Sequence, residues 1–153
     1  MTDLLPSSTL PLVSKFTLAS IFIFSGIGFI DSLYLTVVEY SGRQITCSLI
    51  AGCQTVLASS YAWVGPVPLA MLGVLFYLGV LISTVAYVDT KRQLFISAVA
   101  SAAIVGFFAS LYFVYLQAVV LQAWCQYCLL SVITSTLLAI IGVRLWRQWL
   151  RQE

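Results

Sequence analysis

The residues of this chain best suited to chemistry are four cysteines in two pairs, Cys47 with Cys53 and Cys125 with Cys128. Cys125 and Cys128 stand three apart in Trp124-Cys125-Gln126-Tyr127-Cys128 at the head of an apolar run. At the start of a helix that spacing puts both sulfurs on one face, and the partial positive charge of the helix N-terminus favours a thiolate. A lowered thiol pKa permits thiol–disulfide exchange near neutrality. Cys47 and Cys53 bracket five residues. A bridge there would close so small a loop that it adds only ~2 kcal/mol of stability. A short-loop disulfide beside Gly52 suits a bond made and broken through mixed disulfides. Three other readings of the same residues stay open. A zinc site with four cysteine ligands is one, although the first spacing is loose and the chain has no histidine. Two static disulfides are another. The third is free thiols acting as small apolar residues, and the convergence of all four on one membrane face weighs against it.

The elements that must position these cysteines are membrane spans. Hydrophobic residues make up 61% of the chain and charged residues 8%, against roughly 25% charge in soluble domains. From Gln93 to Val143 there is no Asp, Glu, Lys, Arg or His, room for two helical spans of about 20 residues each with a short turn. Four spans are predicted, at approximately 16–38, 66–88, 94–117 and 124–146, in a single integral membrane domain covering 1–153. Helices are required because lipid satisfies no backbone polar group, and the runs are too long and unalternating for barrel strands. The predicted fold is thus an all-α membrane protein, a four-transmembrane-helix bundle. Basic residues in short loops stay cytoplasmic. Lys15, Lys91, Arg92, Arg144, Arg147 and Arg151 fall on one side, while Arg43, partly balanced by Glu39, falls on the other. Both termini are therefore expected in the cytoplasm and all four cysteines on the extracytoplasmic face, where disulfides persist. The net charge of +2 reflects this orientation and gives no support for nucleic-acid binding. The first span is too long for a signal-peptide core and is expected to be retained.

The extracytoplasmic loop, about 39–65, carries no charge after Arg43. Its Gly52 to Trp63 stretch is too short to span but has helical spacing of Val56, Leu57, Ser60 and Trp63, which predicts a short interfacial helix; an amphipathic connector with no site beneath it is the alternative. Gly65-Pro66-Val67-Pro68 then breaks the chain, with proline expected in the first turn of span two. Asp31 is the one acidic residue well inside a span, and a charge there costs ~2.5–3.5 kcal/mol on insertion scales. It is expected to face the bundle interior, where Gly28, one turn before it, allows a neighbouring helix to approach. The residues after Val143 read as a basic aromatic anchor at the inner surface.

Taken in order, Ser32-Leu33-Tyr34-Leu35-Thr36, Cys47, Gly52-Cys53-Gln54-Thr55-Val56-Leu57, Ser59-Ser60-Tyr61-Ala62, Gly65-Pro66-Val67-Pro68-Leu69 with Gly73 and Tyr77, and Cys125-Gln126-Tyr127-Cys128 resemble the vitamin K epoxide reductase family. The similarity is to its short bacterial-type, quinone-linked, disulfide-forming members, and it covers most of the chain. The resemblance implies a relay at a bacterial inner membrane. Cys47 and Cys53 would be a shuttle pair that takes electrons from a reduced thioredoxin-fold protein. Cys125 and Cys128 would be the active-site pair, with Cys128 against the ring of a membrane quinone such as menaquinone or ubiquinone. It also implies that Ser59, on the capping helix, lies close to Cys125. No thioredoxin-like domain follows the fourth span in this sequence, so the expected thiol partner is a separate thioredoxin-like protein in the oxidising compartment.

A quinone pocket is expected to need apolar walls and a few hydrogen-bond donors. Ser131 and Ser135 lie three and seven residues after Cys128, on or near its face. Their alternative is a hydroxyl bonded to the backbone one turn earlier. Tyr112 and Tyr115 on span three are candidates from across the pocket, or else interface anchors. Asp31 is a candidate proton relay to the reduced quinone, with a structural hydrogen bond as the alternative. Reduction of vitamin K epoxide would use the same cysteines and stays open within the family. Outside it, a static bundle held by two disulfides remains. The other known four-span thiol oxidase architecture is disfavoured, because it carries its Cys-X-X-Cys in the first outer loop.

Overall fold

The computed structural model describes residues 13–43, 47 and 52–150, with side chains through Gln148. Four long helices dominate it: α1 (Lys15–Ser41), α3 (Leu69–Thr90), α4 (Gln93–Tyr115) and α5 (Gln126–Leu150). Each contains a stretch long and apolar enough to cross a membrane, with mean hydropathy from 1.9 to 2.3. Many large apolar side chains point outward, among them Ile23, Ile30, Ile82, Phe108, Ile133 and Ile140. Such a surface suits lipid and would be an aggregation site in water.

Local chemistry sets the helix ends. Ser14 caps α1 by accepting the Thr17 N–H at 3.2 Å, and Gly42 closes it in the left-handed conformation at φ 63°. Only Lys91 and Arg92 separate α3 from α4, so the two run antiparallel. α1 packs on α3 and α5, and α4 packs on the same two helices, which closes a ring. Small residues allow the close approaches. A Cβ at Gly28 would overlap the Tyr77 ring of α3, and one at Gly142 would lie 3.2 Å from the Ala100 backbone of α4. The main core, built on Ile21, Tyr77, Val80, Ile96, Val99, Ala103 and Leu138, fills the bundle towards the end that carries Lys15 and Lys91. A second, smaller core at the opposite end contains Leu35, Cys53, Val56 and Cys125.

Three details differ from the sequence expectation. The helix foreseen in the outer loop is α2, only Cys53–Leu57. It stops because Ser59 is extended at ψ 152°, with its hydroxyl turned back onto the Val56 carbonyl at 2.6 Å. A 3₁₀ turn (Ser60–Ala62) and a two-stranded hairpin, β1 (Trp63–Val64) with β2 (Val67–Pro68), follow. Pro68 therefore precedes α3 and caps it with an extended backbone, instead of occupying its first turn. The third span also ends differently. After α4 the chain makes a π turn, Leu116–Val120, before the stretch that leads to Cys125. The N-terminal twelve residues, most of the loop between Arg43 and Gly52, and the Arg151–Glu153 end of the expected anchor lie outside the described residues.

Candidate active site

α5 begins immediately after Cys125, whose carbonyl accepts the Leu129 N–H at 3.0 Å. Cys125 is thus the N-cap residue. Its sulfur lies 3.4 Å from the Cys128 N–H, the amide that a capping side chain normally takes. Hydrogen bonding from the Cys128 thiol, then from the Cys128 and Tyr127 amides, holds the Cys125 pKa below that of a free thiol, against the opposing effect of burial. The backbone of Cys125 is fixed from the other side. Its N–H donates to the Gln117 Oε1 at 2.9 Å, and the Gln117 carbonyl takes the Ala123 N–H at 3.1 Å. Gln117, 2% exposed, sits in the π turn, a backbone irregularity that recurs at functional sites.

Cys47 and Cys53 are joined as a disulfide with a Cα–Cα separation of 6.0 Å, while Cys125 and Cys128 are free thiols. The disulfide is seated on the thiols. Cys53 and Cys125, 1% and 0% exposed, share the small core, with Cys47 and Cys128 packed against it. The reason the loop settles this closely is Gly52. A Cβ there would stand 2.7 Å from the Trp124 carbonyl oxygen and 2.9 Å from its nitrogen. The residue before Cys53 therefore rests on the backbone of the residue before Cys125. Tyr34 of α1 and Tyr127, between the two thiols, pack ring to ring at 5.3 Å.

A cavity of about 380 Å³ opens beside Cys128, within the size range of small-molecule sites. Its walls are mainly apolar, with Leu35, Val56, Phe76, Val105, Phe113 and Val132 among them. The polar groups that interrupt them include Asp31, Glu39, Ser59, Gln117, Ser131 and Ser135. Tyr77 stiffens one wall: its hydroxyl lies 2.7 Å from the Thr134 hydroxyl, 3.1 Å from that of Ser131 and 3.0 Å from the Ser131 carbonyl.

Of the residues singled out from sequence, the four cysteines converge, and Asp31, Ser59, Ser131 and Ser135 line the same cavity. Ser135 also bonds the Val132 carbonyl at 3.0 Å and the Ser110 hydroxyl at 2.6 Å, so the backbone bond weighed for it is present. Ser131 instead meets Tyr77. Tyr112 and Tyr115 are each 55% exposed and point away from the cavity lining. The expectation missed Gln117, Glu39 and the bracing role of Tyr77. Gln117 had a signal, being the one amide side chain between Ser110 and Leu121 in an otherwise apolar and aromatic stretch. Among the described residues no three His, Cys, Asp or Glu side chains come together as a metal site needs.

The sequence model of the vitamin K epoxide reductase family matches residues 19–143, from early in α1 to late in α5. The chain belongs to this family. No curated protein matches the chain. The matched region of this vitamin K epoxide reductase family member spans both cysteine pairs, the cavity and the Gly52–Trp124 contact, so the described site lies wholly inside the family's territory.

Proposed function

We propose that this protein is a membrane thiol oxidoreductase that takes electrons from a reduced thioredoxin-fold partner and passes them to a quinone, supporting disulfide formation outside the cytoplasm. The observation that carries the reading is the stacking of three things in one place. A loop disulfide rests on a second cysteine pair, and that pair borders an apolar cavity sized for a ring. Family membership supports redox use of the cysteines.

In this reading the partner's thiol reduces the Cys47–Cys53 disulfide through a mixed disulfide at Cys47. The freed Cys53 thiolate attacks the sulfur of Cys125 in an oxidised Cys125–Cys128 pair and releases Cys128. Cys47 then attacks Cys53 and releases Cys125, which restores the loop disulfide and leaves two reduced thiols. The lowered pKa of Cys125 favours this last step, since a more acidic thiol is the better leaving group. Cys128, on the cavity wall, is the residue from which the electron pair enters the quinone, and the Cys125–Cys128 bond re-forms. Two electrons and two protons leave the partner dithiol for each quinone reduced to quinol. Apolar walls exclude water from the ring, and the Ser131 hydroxyl can donate to a quinone oxygen while it accepts from Tyr77, whereas Ser59 and Ser135 would first have to release their backbone carbonyls.

Anaerobic mixing of pre-reduced, detergent-purified protein with a soluble short-chain quinone tests the proposal. Wild type is expected to bleach the quinone absorbance within a single turnover, and Cys128→Ala is expected to leave it unchanged. No reaction by either protein, with cysteines that resist mild reductant, would return the chain to a bundle held by static bonds. A thioredoxin-fold partner that keeps only its attacking cysteine is expected to open the Cys47–Cys53 bond and to stay joined to Cys47, because it has no second thiol to resolve the mixed disulfide.

A further inference from the structure

Three residues of α1, Asp31, Leu35 and Glu39, recur at intervals of four and share one face of the helix, and all three line the cavity. Two of them carry carboxyl groups. Asp31 is 6% exposed and its Oδ2 has no hydrogen-bond partner among the described residues; both carboxyl oxygens of Glu39 are likewise buried without one. Other buried polar groups of the bundle are used. Ser25 bonds the Ile21 carbonyl, Thr84 the Val80 carbonyl, and Gln117 the Cys125 amide. Among the described residues these carboxyl oxygens are the fully buried side-chain polar atoms left without a partner, and they are available to something that enters the cavity.

Among the described residues no Lys or Arg lines the cavity. The described titratable groups near the two carboxyls are Tyr77 from α3, Cys125 and Cys128 at the head of α5 and Tyr61 from the outer loop, and none of them supplies a positive charge. The carboxyls also differ in depth. Eight residues of helix separate them by about 12 Å along the axis. Glu39 stands two residues from the end of α1, beside the loop that carries Cys47, while Asp31 lies deeper, one turn short of the Gly28–Tyr77 contact.

We infer that Glu39 and Asp31 form the path by which protons from the outer aqueous face reach the quinone, an inference that rests on the quinone reading of the cavity. The balance requires such a source. Reducing a quinone to a quinol takes two electrons and two protons. Oxidation of Cys125 and Cys128 to a disulfide supplies both electrons. On this path Cys125, whose sulfur takes the Cys128 amide at the head of α5, reacts as a thiolate and Cys128 as a thiol, so the pair supplies one proton. Asp31 gives the second and becomes a carboxylate. Glu39 returns a proton to Asp31, and outside water returns one to Glu39.

The test uses full-length protein, pre-reduced and mixed anaerobically with a soluble short-chain benzoquinone. Asp31→Asn is expected to slow quinone reduction roughly 10²-fold or more, the usual scale for loss of a general acid. Electron transfer from Cys53 to Cys125, read by alkylation of quenched samples, is expected to keep its wild-type rate. Asp31→Glu is expected to recover most of the loss. Glu39→Gln is expected to slow the reaction and to be rescued by added formate or acetate buffer, an effect that a structural role would not produce. Addition of the benzoquinone to oxidised protein should also shift a carboxyl infrared band that is missing in Asp31→Asn. Wild-type rates in both variants, or a Glu39→Gln defect indifferent to small acids, would overturn the path while leaving the quinone reading intact. A wild-type protein that fails to reduce the benzoquinone would overturn the quinone reading itself, and the path with it.

Discussion

Cys125 occupies the position in α5 where backbone amides lack helical partners, so its sulfur takes the place usually held by a serine or aspartate oxygen. Hydrogen bonds from Cys128, followed by the first-turn amides, lower its pKa in the folded state. Ionisation of this thiol therefore contributes stability that is fully present above the unfolded pKa, about 8.5, and is lost as pH falls through the lower folded value. Fully reduced wild-type protein is expected to lose thermal stability on acidification across that window by more than Cys125→Ala does. Thiolate ultraviolet absorbance should show one thiol titrating below the ordinary range, absent from the variant. Gly52 works at the same scale through size. A methyl group there would collide with the Trp124 backbone, which a side-chain rotation cannot relieve. Gly52→Ala is expected to slow transfer from Cys53 to Cys125 roughly 10²-fold, the cost of misplacing reactants by about an ångström. Quinone reduction by already reduced Cys125 and Cys128 should change little. Equal slowing of both steps would show that Gly52 serves the whole bundle.

Among elements, the π turn after α4 has the largest consequence for its length. It carries Gln117 to where its amide oxygen accepts the Cys125 N–H, and so ties the end of the third span to the start of the fourth. Gln117→Leu leaves that buried N–H without an acceptor and is expected to cost roughly 1–3 kcal/mol. The loss is measurable as a lower denaturant midpoint in detergent, with slower quinone reduction because Cys128 is positioned through Cys125. An unchanged midpoint would mean that water or another carbonyl replaces the amide. The sequence told little of this element, because Leu116-Gln117-Ala118-Val119-Val120 reads equally well as ordinary helix; the irregularity depends on a partner five residues beyond it. The spans themselves were legible, since the charge-free run from Gln93 to Val143 leaves helix as the only structure lipid accepts. Which way each span faces was less so. Helices apolar on every side carry no periodicity to separate lipid from core, and for that reason the sequence leaves Tyr112 and Tyr115 open between the pocket and the membrane interface; both are exposed and outside the cavity lining. Asp31 was readable because a carboxyl has only one tolerable direction to face.

For the molecule as a whole, charge and chemistry sit at opposite ends. Lys15, Lys91, Arg92, Arg144 and Arg147 gather where α1 and α4 begin and α3 and α5 end, while the cysteines and the loop over them occupy the other end. This polarity makes orientation and function one question. The proposed relay would need the loop pair to meet an oxidising compartment and a protein partner, and the tendency of basic residues to stay inside favours the cytoplasm for the other end. The two demands agree only if the cysteine end faces outward. A background carrying Cys125→Ala and Cys128→Ala leaves the loop disulfide closed and removes the free thiols. Adding Ser60→Cys, an exposed position above the cavity, is expected to give a site that a membrane-impermeant maleimide labels in intact cells. Lys91→Cys, exposed at the opposite end, is expected to label only after the membrane is opened. The reverse pattern would place the shuttle pair among reducing thiols, where the loop disulfide would be kept open and the direction of electron flow proposed for this protein would fail with it.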